Sequence, residues 1–189
     1  MTSLFGLNLI FHSIQPKGGM ERHVLDLISY ASEQGLPVRA VTRHLNWPAP
    51  LPRHVEFVVV PDRTPFARLN TLIFESSALA KCRPEWPTIG ISRVPGVEMS
   101  IVGGTHKAHL LDRKRGYTGL LDLRTIARER TMYQQAQVIV AHSAKVANEI
   151  SHHYGIDPHK VSTFYPPVDT AAFSLCARNQ RDAMRKKWA

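Results

Sequence analysis

The stretch that most constrains this chain is Leu4 to Leu27, LFGLNLIFHSIQPKGGMERHVLDL. Leu7, Leu9, Ile10 and Phe11 form an apolar run of the length a buried parallel strand needs. Gln15-Pro16-Lys17-Gly18-Gly19 interrupts it, and Met20, Val24, Leu27/Ile28 and Ala31 then recur at helical spacing. The segment reads as strand, glycine loop, helix. A helix N-terminus offers unpaired backbone N–H groups and the positive end of the helix dipole, and glycines let an anion approach both unobstructed. Gly18 and Gly19, with the cationic Lys17 beside them, are therefore candidate phosphate-binding residues; a plain chain turn is the other reading of the pair. No G-x-G-x-x-G follows the first strand, and Arg39 stands where an acidic ribose partner would be sought. A nicotinamide or flavin enzyme is disfavoured.

The same alternation continues. Pro37 to Thr42 reads as a second strand after a helix closed by Gly35, and His54 to Val60 as a third. Pro65 to Lys81 carries apolar residues at helical spacing, Trp86 to Ser92 reads as a fourth strand and Met99 to Val102 as a fifth. Leu120 to Gln135 is helical, Gln137 to Ala141 is the clearest buried strand, Ser143 caps a helix over Ala144 to Tyr154, and Lys160 to Tyr165 is a last strand. Strands alternating with helices predict an α/β fold with a doubly wound, mostly parallel Rossmann-like sheet, whose ligands bind beyond the carboxyl ends of the strands. Function is thus expected in the loops Gln15 to Met20, Arg43 to Pro52, Ser92 to Glu98 and Gly103 to Lys114.

Bulk properties narrow the classes further. With 189 residues, 43% hydrophobic and 21% charged, the chain suits one folded domain. It holds no apolar run of about 18 residues and no signal-like N-terminus, so a cytoplasmic place is expected. Cys82 and Cys176 lie far apart without C-x-x-C spacing, which suggests neither a zinc site nor a disulfide framework. A net charge of +9 attracts polyanions. Nucleic acid is not the expected partner, because no helix-turn-helix, zinc or RRM signature accompanies the charge.

Three segments carry a resemblance. PKGGMERH (residues 16–23) after the first strand, VIVAHS (138–143) opening a helix, and KVSTFYPPVDTAAF (160–173) resemble the N-terminal, acceptor-side domain of family 4 glycosyltransferases of the GT-B fold. The middle segment IGISRVPGVEMSIVGGTHKAHLL (89–111) is most similar to members that act on the lipopolysaccharide core, such as core glucosyltransferases. That resemblance implies two Rossmann-like domains with an active site between them. This chain would supply residues 1–173 as the first domain and 174–189 as a linker toward a C-terminal donor-binding domain, which holds the family's E-x7-E carboxylate pair.

The implied reaction is sugar transfer, of the retaining type, from a nucleotide-diphosphate sugar to a glycan or lipid-linked acceptor, with no cofactor and no mandatory metal. Gly18 and Gly19 would approach the donor diphosphate, and His106 would sit near the reacting sugar or acceptor hydroxyl, with His109 able to serve instead. On the acceptor side, His12, Arg93, Glu98, His109, Arg113 and Lys114 are candidates. Arg93 and Glu98 read equally well as a structural ion pair, and Ser143 as an N-cap rather than a nucleophile. Arg113, Lys114 and Arg115 suit acceptor phosphates or peripheral contact with the anionic inner face of a membrane, or form a solvated loop. A truncated, non-catalytic carbohydrate- or nucleotide-binding module is the alternative function.

Overall fold

Short apolar strands joined by helix-length connections have one low-cost arrangement, a parallel sheet with helices against its faces. The computed structural model, which describes residues 5–48, 50–113, 119–168, 170 and 181–188, shows that arrangement. In chain order its strands are β1 (Leu7–Ile10), β2 (Ser13–Ile14), β3 (Val38–Thr42), β4 (His44–Leu45), β5 (Val55–Val59), β6 (Thr88–Gly90), β7 (Met99–Val102), β8 (Val138–Ala141) and β9 (Val161–Thr163). Its helices are α1 (Gly19–Glu33), α2 (Ala67–Ser77), α3 (His106–Asp112), α4 (Leu120–Gln135), α5 (Ala144–Tyr154) and α6 (Arg181–Trp188).

Seven strands form one parallel sheet in the order β5-β3-β1-β6-β7-β8-β9, and β2 pairs with β4 separately. The chain winds outward from β1 to β5, returns through α2, and winds outward again from β6. The order reverses between β1 and β6, where an α/β sheet opens a crevice at its carboxyl end.

Alternation along the strands builds two cores. Ile10, Val41 and Ile139 face Phe74 of α2, Tyr133 of α4 and Ile150 of α5. Leu9, Phe11, Val38 and Ala40 face Val24, Ile28 and Ala31 of α1. Each fully buried aliphatic side chain contributes roughly 1.5–3 kcal/mol. Asn8 interrupts the apolar run of β1 yet is fully buried, because its amide clamps the turn before β6: Nδ2 donates to the carbonyls of Arg83 and Trp86 at 2.8 and 2.9 Å, and Oδ1 accepts from the Arg83 N–H.

Four expectations change. The loop expected from Gly103 to Lys114 contains α3, whose first turn is capped by Thr105 Oγ1 accepting from the Ala108 N–H at 3.3 Å. The loop expected from Arg43 to Pro52 contains β4. The helix expected over Pro65 to Lys81 is α2 followed by a 3-10 turn at Leu79–Lys81. The stretch expected as linker contains α6, exposed along its length, while the boundary at Phe173 lies outside the described residues.

Candidate functional site

The carboxyl ends of β1, β6 and β7 open into a cleft of about 430 Å3. Phe11 and His12 enter it from β1, Met20 and Glu21 from α1, and Thr71 and Glu75 from α2. Ile91 to Arg93 follow β6, Gly103 and Gly104 follow β7, and Glu129, Met132 and Tyr133 close the wall from α4. A smaller pocket of about 150 Å3 shares Thr71, Glu75 and Arg93 with it and adds Arg68, His106, Leu121 and Asp122.

A buried carboxylate organises the wall. Glu129, 1% exposed, accepts from Arg93 Nε at 2.7 Å, from the His106 backbone N–H at 3.0 Å on both oxygens, and from the Tyr154 hydroxyl. It thereby ties together the loop after β6, the start of α3 and the end of α5. Burial pushes the Tyr154 and Tyr133 phenols up, so both stay protonated, and Tyr154 donates to Glu129. Beside this cluster, Glu75 faces Arg93 NH1 at 4.0 Å and Arg128 Nε at 3.7 Å, and burial pushes its carboxyl up to about 7. Arg43 shows what a closed pair looks like: Nε and NH2 meet both Asp62 oxygens at 2.8 and 2.9 Å.

The sequence-predicted residues fall into three groups. His12 and Arg93 line the cleft. His12 donates its backbone N–H to Ser92 Oγ at 2.9 Å and stacks obliquely on Phe11, and burial lowers its pKa, leaving a neutral imidazole at pH 7. Lys17, Gly18 and Gly19 lie exposed on the turn leading into Met20 and Glu21. Gly18 has φ 85°, and a Cβ there would collide with the Glu21 carboxylate, whereas a Cβ on Gly19 would meet nothing within 4 Å.

The second group sits on or beside α3. His106 lines the smaller pocket and not the main cleft; its Nε2 lies 2.9 Å from Asp122 Oδ1, and that hydrogen bond holds the Asp122 carboxyl below its ordinary value. His109 is exposed one turn on, its ring 6.4 Å from that of His106. Arg113 caps the end of α3, exposed, roughly 6 Å beyond His109 along the axis. Lys114 and Arg115 lie outside the described residues.

The third group is Glu98, which the cleft does not contain. Its side chain accepts from the Thr88 N–H at 2.8 Å and its carbonyl from the Gln137 N–H at 2.8 Å, at the starts of β6 and β8. The connection after β6 runs back along the sheet before β7 begins, so its last residue reaches the amino end. Arg93 accordingly pairs with Glu129 and not with Glu98.

Sequence reasoning missed Glu75, Glu129 and Asp122. For Glu129 a signal exists: with Ile126 and Tyr133 it shares the i, i+3 and i+4 stripe that α4 buries, and a carboxylate there demands a partner. Among the described residues, no group of three or more His, Cys, Asp or Glu side chains is placed to hold a metal ion, and no helix is long and apolar enough to cross a membrane.

A parallel doubly wound sheet with its cleft at the strand-order reversal defines the class, a Rossmann-like α/β fold. The crystal structure of WaaG, a glycosyltransferase involved in lipopolysaccharide biosynthesis, superposes on it with a TM-score of 0.70 at 18% identity, over 83% of this chain and 44% of WaaG. Residues 17–172 match glycosyltransferase family 4, and the chain belongs to that family. A protein of Burkholderia thailandensis described as a probable transglycosylase is 28% identical over 173 residues, covering 89% of this chain and 47% of its own length. The chain thus spans about half the length of the relatives it matches.

Proposed function

We propose that this chain is the acceptor-side half of a glycosyltransferase that moves a sugar from a nucleotide-diphosphate sugar to a glycan or lipid-linked acceptor in lipopolysaccharide or other cell-envelope polysaccharide assembly. The observation that carries this reading is the exposed Gly18-Gly19 turn at the N-terminus of α1, on the rim of a cleft at the strand-order reversal. Departure of a nucleotide diphosphate builds negative charge on its phosphates. The α1 N–H groups and Lys17 supply fixed positive potential for that charge. In this reading His12 and Arg93, which line the cleft, serve the acceptor, and His106, held by Asp122 in the adjoining smaller pocket, serves the reacting centre from there. On the same reading His109 and Arg113 extend the acceptor surface toward an anionic membrane face, and Lys114 is a further cation of the acceptor-binding set. In this reading the reaction retains anomeric configuration, needs no cofactor, and takes its donor-side carboxylates from a second domain.

The test is glycosyl transfer and nucleotide-sugar hydrolysis by the 189-residue chain, alone and joined to a C-terminal family domain. Activity only in the joined form is expected, and Gly19→Val should then lose nucleotide-sugar binding at unchanged melting temperature, since its side chain enters open space. Binding of a sugar without turnover in the joined form leaves a carbohydrate-binding module instead; turnover by the short chain alone displaces the donor site from the second domain.

A further inference from the structure

Glu75 and Arg93 stand at the waist where the cleft meets the smaller pocket, and both line both cavities. Glu129 anchors Arg93 through Nε at 2.7 Å, which leaves the terminal nitrogens of the guanidinium with spare N–H donors. NH1 lies 4.0 Å from Glu75 Oε1, beyond hydrogen-bond reach. Arg128 Nε is 3.7 Å from the other Glu75 oxygen, again too far. The Glu75 side chain is 3% exposed and its carboxylate accepts from the Arg93 backbone N–H, which leaves lone pairs that neither guanidinium reaches. Arg43, by contrast, closes on Asp62 at 2.8 Å. The waist instead holds an anchored donor and a buried acceptor, each with unused capacity, separated by a gap that a hydroxyl group bridges by accepting from one and donating to the other.

The charge around the gap selects the ligand. Glu21 lines the cleft and Asp122 the smaller pocket, so that with Glu75 and Glu129 the carboxylates outnumber the lining cations Arg68 and Arg93, and a phosphate entering the waist meets net negative charge. A neutral polyol is not repelled by it. The geometry points to Glu75 and Arg93 as the pair that recognises adjacent hydroxyls of a bound acceptor sugar, with Glu129 as the residue that positions Arg93. Glu129 does not itself contact the sugar, because its oxygens are taken by Arg93, His106 and Tyr154. The assignment rests on the glycosyl-transfer reading and names the sugar-contacting residues within it.

The experiment is an NMR titration of the 189-residue chain with the methyl α-glycosides of glucose, mannose and galactose, which together present cis and trans vicinal diols, and separately with UDP as a donor-side probe. The expected result is saturable shifts with at least one glycoside. Glu75→Gln and Arg93→Lys should weaken that binding at least tenfold and leave UDP binding unchanged. Glu129→Gln should weaken it several-fold and move the Arg93 Nε–H resonance, whereas Tyr154→Phe, which removes a different donor from the same carboxylate, should move neither. Glycoside binding indifferent to Glu75→Gln and Arg93→Lys overturns the assignment, as does the absence of any glycoside titration. Failure of UDP alone agrees with a donor site held mainly by the second domain and leaves the hydroxyl pair standing.

Discussion

Glu129 shows how much a single buried charge can hold. Its carboxylate satisfies a guanidinium, a backbone N–H and a phenol that would otherwise be stranded in the interior. Glu129→Ala is therefore expected to cost about 3–5 kcal/mol, measured by urea unfolding, because it leaves those donors unpaired. Glu75 behaves oppositely. Its folded pKa of about 7 stands above the ordinary 4.5, so the folded protein holds a proton that the unfolded chain releases. The stability this gives is complete below 4.5 and is lost as pH rises through 7. Glu75→Gln should raise the melting temperature relative to the parent at pH 8 and not at about pH 4.5, as followed by circular dichroism. The histidines act at the other limb. Burial lowers His12, His23 and His142, the last two meeting edge to face at 4.8 Å with His23 further lowering His142. Their contribution is present above 6.5 and lost as pH falls below it, so His142→Phe should flatten the fall in melting temperature between pH 6.5 and about 5.

At the scale of elements, close approach decides which substitutions matter. A Cβ on Gly6, just before β1, would stand 2.7 Å from the Pro37 carbonyl oxygen and 2.6 Å from the Trp86 ring, whereas one on Gly104 would meet nothing within 4 Å. Gly6→Ala is expected to cost about 1–3 kcal/mol in chemical denaturation and Gly104→Ala less than about 0.5 kcal/mol. The same scale explains what could be read from the sequence. Apolar density and period gave away the seven strands of the sheet and the long helices, and the glycine turn with the strand-order rule located the cleft. The seven residues of α3 are too few to display a helical period, and β2 and β4 form only because their partners arrive from elsewhere in the chain. Glu98 was expected in the cleft because spacing does not tell which end of the sheet a connection has reached. Glu75 and Glu129 were invisible as a pair because only tertiary packing brings α2 and α4 to either side of Arg93.

For the molecule as a whole, the sheet and its two cores end with β9. The described residues of α6 are all exposed. Deleting residues 175–189 should therefore leave the melting temperature within about 1 °C of the parent, a shift of well under 1 kcal/mol. Ending the chain before β8 should abolish cooperative unfolding, since β8 sits between β7 and β9 and carries Ile139 into the larger core.

The position of β1 has a consequence for how the protein is made. It is an interior strand of the finished sheet, hydrogen-bonded to β3 on one side and β6 on the other. The ribosome delivers β3 by Thr42 but does not complete β6 until Gly90. At about 5–20 residues per second, translation leaves one side of β1 without its neighbour for roughly 2–10 s. Asn8 waits over the same interval for the Arg83 and Trp86 carbonyls that will bind its amide. A strand paired on both sides in the native state is thus open to mispairing on the nascent chain, and a ribosome stalled within that window would hold it out to a chaperone or to a neighbouring copy.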